Sequence, residues 1–225
     1  MLQITTVLSN YDFSWAVLNA KDIGIPQNRE RVFVVGFRHD LKVKNSFEFP
    51  SPIPLKKVLK DFLVDHAPDG YFLPQKTVEF LSREHNLPRK SSHICRDVQL
   101  NKNITTDNVS DLEKYFLSEK MEKYVLSTGT KNFYSKPEIN LNIARPLLTT
   151  MHKMHRAGVD NYVTTKGRLR KLTPRECLRL MGFSDNFKIV VSDTAIYQQA
   201  GNSIVVDVLI AIMTKILDTV NLSEN

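Results

Sequence analysis

The sequence predicts an α/β domain interrupted by an irregular insert, and three observations carry that reading. "RVFVVGF" at 31–37 is a continuous apolar run after a Pro-containing turn, the pattern of a strand buried on both faces. Near the other end, "TPRECLRLMGF" and "SIVVDVLIAIMTKILDTV" (203–220) read as helices. Between them, from about 45 to 140, Pro50, Pro52, Pro54, Pro68, Pro74 and Pro88 punctuate short apolar pieces and no clear period survives.

Taken in order, residues 2–9 suit a short helix, and "FSWAVLNA" (13–20) has the aromatic and β-branched content of a strand. The strand at 31–37 follows. Within the irregular stretch, "SDLEKYFLSEKMEKYVL" (110–126) is the best helix. "TPRECLRLMGF" starts with Thr173 as N-cap, Pro174 in the first turn and Glu176 closing a capping box, and Gly182 stops it. The final segment is apolar nearly all round, which predicts a helix packed deep against something large, with Asn202 or Ser203 as its N-cap.

At 225 residues and 42% hydrophobic content the chain has the composition of a globular protein rather than a disordered one. No run reaches a membrane span, the N-terminus lacks the pattern of a signal peptide, and two cysteines, Cys95 and Cys177, are too few for a disulfide framework. An intracellular, cytoplasmic setting is expected. The formal charge of +7 is concentrated: residues 141–180 hold nine Lys/Arg against two acids, so the rest of the chain sums to zero. Such a local excess suits a polyanion-facing surface, the alternative being a solvated face.

"GIPQNRERVFVVGFR" (24–38), "RKLTPRECLRLMGF" and "QAGNSIVVDVL" occur in that order, and together they resemble the last three motif blocks (VIII, IX and X) of the DNA (cytosine-5) methyltransferases. The lead-in "VLNAKDI" matches as well, so the resemblance covers residues 1–45 and about 141–220. It implies the C-terminal part of a Rossmann-like methyltransferase domain with an inserted α+β target-recognition domain. The expected divisions are residues 1–48 in the catalytic domain, 49–168 in the target-recognition domain, and 169–225 back in the catalytic domain.

The resemblance also implies a reaction: a cysteine thiolate attacks C6 of a flipped cytosine, a glutamate interacts with N3, and C5 receives a methyl group from S-adenosyl-L-methionine. In such enzymes the Pro-Cys nucleophile loop, the Glu-Asn-Val segment and the glycine-rich cofactor turn precede the "QNRER" block. None of them is in these 225 residues: no proline is followed by cysteine, and no two glycines lie two apart. Asp107-Asn108-Val109 has the wrong acid, and Cys177 reads as a packing residue within a helix. The expectation is therefore the DNA-recognition subunit of a split enzyme of a restriction–modification system, inactive alone and sharing its cofactor with a second polypeptide that carries the missing motifs. The alternatives are a fragment of a broken gene and a non-catalytic, sequence-specific DNA-binding protein.

By resemblance, Gln27, Arg29 and Arg31 form the Gln-x-Arg-x-Arg block, whose arginines approach the flipped cytosine and neighbouring backbone. The alternative is that both arginines pair with acids such as Glu30 or Asp22. Asn202 and Ser203 are the cofactor-side candidates. "ARPLLTTMHKMHRAGVDNYVTTKGRLRKL" (144–172) resembles the DNA-reading loops, with Pro146-Leu147 where the family usually has Thr-Leu. Arg145, Thr149, Lys153, Arg156, Lys166 and Arg168 are the DNA-binding candidates, since double-stranded DNA presents phosphates and guanine edges that arginine fits. His152 and His155, with His93 and Cys95 elsewhere, match no usual zinc-ligand spacing, so no metal is expected.

Overall fold

A computed structural model describes residues 9–41, 46–64 and 109–220. The helix expected at 2–9, most of the proline-punctuated stretch, Asp107-Asn108, His93 and Cys95 lie outside the described residues.

Strands β1 (Tyr11–Asn19) and β2 (Glu30–Arg38) form an antiparallel hairpin in which Trp15 faces Val34 and Val17 faces Val32. A 3-10 turn at Ala20–Ile23 joins them. The Asn19 side chain accepts from Lys21 N–H at its start, and Gly24 ends it at φ +92°, a conformation costly for a residue with a Cβ. The strand at 31–37 is present, but it is not buried on both faces. Val35 and Phe37 are buried and Phe33 half-buried, whereas Val32 and Val34 are 64% and 48% exposed beside Trp15 and Val17, both 54% exposed. Facing residues in an antiparallel pair share a side of the sheet, so Trp15, Val17, Val32 and Val34 make one apolar surface that nothing among the described residues covers. The unbroken apolar run announces two covered faces; the described residues supply the cover for one.

The helix expected at 110–126 is two pieces, a 3-10 segment at Val109–Tyr115 and helix α1 (Glu119–Val125). Between them Phe116 bridges to Arg170, and Leu117 N–H donates to Leu169 O at 2.9 Å. Pairing with a distant strand edge thus overrides local helix preference. That edge belongs to the hairpin β5 (Tyr162–Thr165) and β6 (Arg168–Lys171); a smaller hairpin joins β3 (Gly129–Thr130) to β4 (Phe133–Tyr134). Among the described residues all three strand pairs are antiparallel and two-stranded, with Gln27 and Ala144 forming an isolated parallel bridge.

Helix α2 (Pro174–Leu180) carries the expected capping box: Thr173 Oγ1 accepts from Glu176 N–H, and the Glu176 carboxylate accepts from Thr173 N–H. Gly182 follows it at φ +81°. Helix α3 (Asp193–Asn202), capped by Ser192, was not expected, and it displaces the start of the last helix. Helix α4 runs Val206–Val220, so Asn202 ends α3, Ser203 is its C-cap, and neither opens α4. Helix α4 is also not packed deep all round: Val208, Ile212 and Thr219 are buried, but Leu209 and Met213 are exposed.

Two hydrophobic clusters result among the described residues. The larger gathers Ile25, Val35 and Phe37 from the first hairpin, Leu59 and Phe62, Leu147 and Met151, and residues of α2, α3 and α4. The smaller holds Leu117, Val125, Ala157, Tyr162 and Leu169. The β5–β6 hairpin is the wall between them, because Val163 points into the first while Tyr162 and Leu169, on its other face, point into the second. No helix among the described residues is long and apolar enough to cross a membrane.

Candidate functional site

The arginine block leaves the turn at Pro26 and climbs β2. Gln27 is fully buried, and its amide joins two distant segments: Nε2 donates to Leu180 O at the end of α2 (2.9 Å), and Oε1 accepts from Leu147 N–H (3.3 Å). Its neighbours complete the seam, with Asn28 N–H donating to Ala144 O and Ala144 N–H to Pro26 O. Arg29 is 3% exposed and has no carboxylate partner among the described residues. It donates to Leu147 O (3.0 Å), Gly201 O (2.7 Å) and Ser203 O (2.9 Å), while its buried Nε has no partner among the described residues. Burial, and then the Arg31 charge, push its guanidinium down to about 10. Arg29 thus ties the loop at 147 to the end of α3.

Arg31 differs. It is exposed, it donates to the Glu30 carbonyl oxygen at 2.6 Å, and it pairs with neither Glu30 nor Asp22 through a carboxylate. With Arg29, Leu18, Phe33, Ile204 and Val208 it lines a small open cleft between the first hairpin and the start of α4. Of the three block residues, Gln27 and Arg29 direct their donors to their own chain, and Arg31 keeps guanidinium donors toward solvent.

The cofactor-side candidates stand next to this cleft but not at a helix N-terminus. The Ser203 carbonyl is held by Arg29 and its Oγ donates to Ile204 O at 3.1 Å, whereas Asn202 is exposed at the end of α3. Val206 N–H, at the start of α4, is itself used by Met181 O. The "GNS" signal has another cause: a Cβ on Gly201 would lie 2.3 Å from Thr149 N and 2.4 Å from Leu148 C, so glycine permits α3 to meet the 148–149 backbone directly.

The DNA-binding candidates do not form one free basic surface. Arg145 is ion-paired with Glu138 at 3.0 Å and mostly covered, and Arg168 makes a two-pronged pair with Glu113 while lying 4.1 Å over the Phe116 ring. Thr149 is half-buried against Gly201. Arg156 donates from Nε to Ser127 Oγ at 3.0 Å and lies over Tyr124. Lys153 and Lys166 are exposed, Lys166 at φ +50° in the tip of the β5–β6 hairpin. The charge excess counted along 141–180 is therefore reduced in space: Arg145, Arg168 and Arg179 meet acids outside that window, and Arg170 is buried against Glu176.

Among the described residues no group of three or more His, Cys, Asp or Glu is placed to hold a metal ion. His155 lies 3.0 Å from Thr150 O and Oγ1. Cys177 is fully buried in α2, and burial, then Glu176, holds its thiol well above its ordinary pKa, an environment that opposes the thiolate a nucleophile needs. Sequence reasoning missed the β3–β4 hairpin, which displays Phe133 and Tyr134; the available signal was an aromatic pair between lysines.

The family model for C-5 cytosine-specific DNA methylase matches residues 4–218. The Type II methyltransferase M.DsaV of Dactylococcopsis salina is 30% identical over 215 residues, covering 96% of this chain and 50% of the relative. M.Bsp6I of Bacillus sp. (strain RFL6) is 33% identical over 207 residues, covering 89% and 53%, and M.HhaI of Haemophilus parahaemolyticus 32% over 200, covering 89% and 51%. The chain spans about half the length of these relatives. Among solved structures, the S. pombe Dnmt2 methyltransferase aligns with TM-score 0.60 at 16% identity over 98% of this chain and 62% of that one. The Entamoeba histolytica methyltransferase EhMeth aligns with TM-score 0.57 at 17% identity over 99% and 58%. These two likenesses concern the α/β fold alone.

Proposed function

The chain belongs to the C-5 cytosine-specific DNA methylase family, and from that premise we propose that it is the DNA-recognition part of an S-adenosylmethionine-dependent DNA (cytosine-5) methyltransferase, working with a second polypeptide in a restriction–modification system. The observation that carries the two-chain reading is the bare face of the first hairpin: Trp15, Val17, Val32 and Val34 are exposed side by side on a domain whose relatives are twice as long. An apolar sheet face of this kind calls for a partner layer. The nucleophile-bearing segment, whose Pro-Cys motif is missing from these 225 residues, is the partner proposed.

In this reading the chain is the C-terminal part of the methyltransferase domain (1–48 and 169–225) with a target-recognition insert at 49–168. Arg31 donates to the cytosine O2 and stabilises the electron-rich adduct formed on attack at C6. Gln27 and Arg29 hold Arg31 in place by fixing the surrounding backbone. S-adenosyl-L-methionine supplies the methyl group when bound. The residues here fit only the edge of its site: Asn202 offers an exposed amide, while the Ser203 hydroxyl is engaged with Ile204 O. A cytoplasmic setting accords with duplex DNA as the proposed substrate.

Co-expression with the polypeptide encoded immediately upstream tests this, with transfer of a tritiated methyl group to DNA as readout. The pair is expected to transfer methyl groups and the chain alone none. Activity of the isolated chain overturns the two-chain reading. An upstream reading frame continuous with this one removes the second polypeptide and leaves the methyltransferase reading standing; an inactive pair whose partner has the motifs makes the chain a broken fragment.

A further inference from the structure

Arg31 reaches the cleft from a register position opposite Leu18 on β1. A two-residue hairpin loop sets its own register, but β1 and β2 are joined by the whole of 20–29, so the pairing must be fixed another way. Register matters here. A slip of one residue would carry Arg31 to the face that bears Val17, away from the cleft.

The ladder changes character at the turn. Ala20 N–H donates to Arg29 O at 3.1 Å, as one half of an antiparallel rung. The return bond is missing because the turn uses Ala20 O, which accepts from Ile25 N–H at 3.1 Å and from Gly24 N–H. Arg29 N–H is buried and needs another acceptor. Asn19 supplies it: Oδ1 accepts from Arg29 N–H at 3.0 Å, so a side chain stands in for the ladder carbonyl. The same oxygen accepts from Lys21 N–H (3.3 Å), while Nδ2 donates to Asn28 Oδ1 (2.7 Å) and Glu30 Oε1 (3.4 Å). Asn19 is 5% exposed, and its amide thus gathers residues 21, 28, 29 and 30 around the point where β2 begins.

We propose that Asn19 is a positioning residue for methyl transfer: it locks the rung at the turn, and through that rung it holds Arg31 at the cleft. The inference rests on the reading of Arg31 given above and adds the residue that aims it. Misplacing a reacting or charge-stabilising group by roughly 1 Å can cost about 100-fold in rate. A contribution to stability alone would leave the rate of the folded enzyme unchanged.

The test is a double-mutant cycle in the assembled enzyme, run below the melting temperature of every variant. Single-turnover methyl transfer and DNA affinity are measured for Asn19→Ala, Arg31→Ala and the double variant, with Asn19→Asp as the conservative replacement. Asn19→Ala is expected to slow transfer about ten-fold or more, with DNA affinity as in wild type. Asn19→Asp keeps the acceptor for Arg29 N–H and should recover most of the rate. In the Arg31→Ala background Asn19→Ala should cost nothing further, since the group it aims is gone. Amide hydrogen exchange across 29–31, read on the chain alone, should quicken with Asn19→Ala and stay slow with Asn19→Asp. Full activity or unchanged exchange in Asn19→Ala, beside an impaired Arg31→Ala, overturns the inference alone. An Asn19→Asp as slow as Asn19→Ala does the same, as do losses that multiply in the double variant, the mark of a general structural effect. A fully active Arg31→Ala overturns the role of Arg31 and the inference with it. A wild-type assembly that transfers no methyl group overturns the methyltransferase reading and both of these.

Discussion

Arg170 and Glu176 meet as a fully buried, two-pronged ion pair, NH1 to Oε2 and NH2 to Oε1 at 2.8 Å each. The remaining valences are filled. Arg170 Nε donates to Thr165 Oγ1, Thr173 N–H donates to Glu176 Oε2, and Val64 N–H donates to Glu176 Oε1. One pair therefore fastens the wall hairpin to α2 and to the segment ending at 64. Removing one partner strands a buried charge, so Arg170→Met and Glu176→Gln are each expected to cost about 3–5 kcal/mol. Combining Arg170→Met with Glu176→Gln should cost less than the sum, because neither leaves a charge of the other unpaired. Urea unfolding of the two single variants and the double variant measures this.

How much of this was legible depended on range. The capped helix α2 was readable because Thr173, Pro174 and Glu176 act within one turn. The two strands of the first hairpin are readable from their aromatic and β-branched runs, while their antiparallel pairing comes from the structure. The position of Asn202 was misread because "GNS" looks like a cap, whereas Gly201 is there to admit the backbone of 148–149, a contact no local pattern announces. Arg170 adds to the basic excess counted along 141–180 for the same reason: its partner's carboxylate is already assigned to the capping box, and only the fold shows that it serves both. The split of 110–126 likewise follows from the pairing of Phe116 and Leu117 with β6, which sequence periodicity does not encode.

Gly201 gives a direct test of that close approach. Gly201→Ala gains helix propensity of about 1 kcal/mol, but its methyl would press on backbone atoms at 2.3–2.6 Å, which cannot swing aside. Net destabilisation of about 1–3 kcal/mol is expected, as for overpacking elsewhere. Gly167→Ala is the control: nothing lies within 4 Å and only the cost of φ +77° remains, about 1 kcal/mol. Thermal melts of the two variants should rank them in that order.

Asp160 makes stability depend on pH. Burial raises its carboxyl to about 6 against the opposing influence of the Asn161 N–H and the nearby His155 and Lys171. A carboxyl raised in the folded state favours folding fully below its unfolded pKa near 4, and that contribution is lost as pH rises through about 6. Stability should thus decline by on the order of 2–3 kcal/mol between pH 4 and 6 from this group. Asp160→Asn keeps an acceptor for the Asn161 N–H and should remove that slope. Denaturation at several pH values, with and without the substitution, reads it out.

Lys166 and Arg168 sit at one hairpin tip but are not equivalent. Arg168 is already engaged by Glu113, whereas Lys166 is exposed and has no acid partner among the described residues. Lys166→Ala is expected to flatten log K against log[salt] by about one unit if it meets a phosphate. Arg168→Ala should flatten it less, because Glu113 is released as the cation is lost. Equal flattening by the two variants would mean that Arg168 leaves Glu113 on binding DNA.

Arg29 and Arg31, two residues apart on the approach to and within β2, should separate stability from chemistry. Arg29 holds three carbonyl oxygens of its own chain from a buried position, so Arg29→Ala should destabilise the protein by at least about 3 kcal/mol as those acceptors lose their donor. Arg31 is exposed and gives one hydrogen bond, to its neighbour's carbonyl, so Arg31→Ala should leave stability within about 0.5 kcal/mol. In the assembled enzyme Arg31→Ala should instead lower single-turnover methyl transfer about 100-fold or more, the usual cost of removing one donor to a developing charge, with DNA affinity little changed. Cys177→Ser in the same assembly should stay active, because burial disfavours the thiolate that attack would need. A fully active Arg31→Ala beside an inactive, folded Cys177→Ser would reverse both assignments.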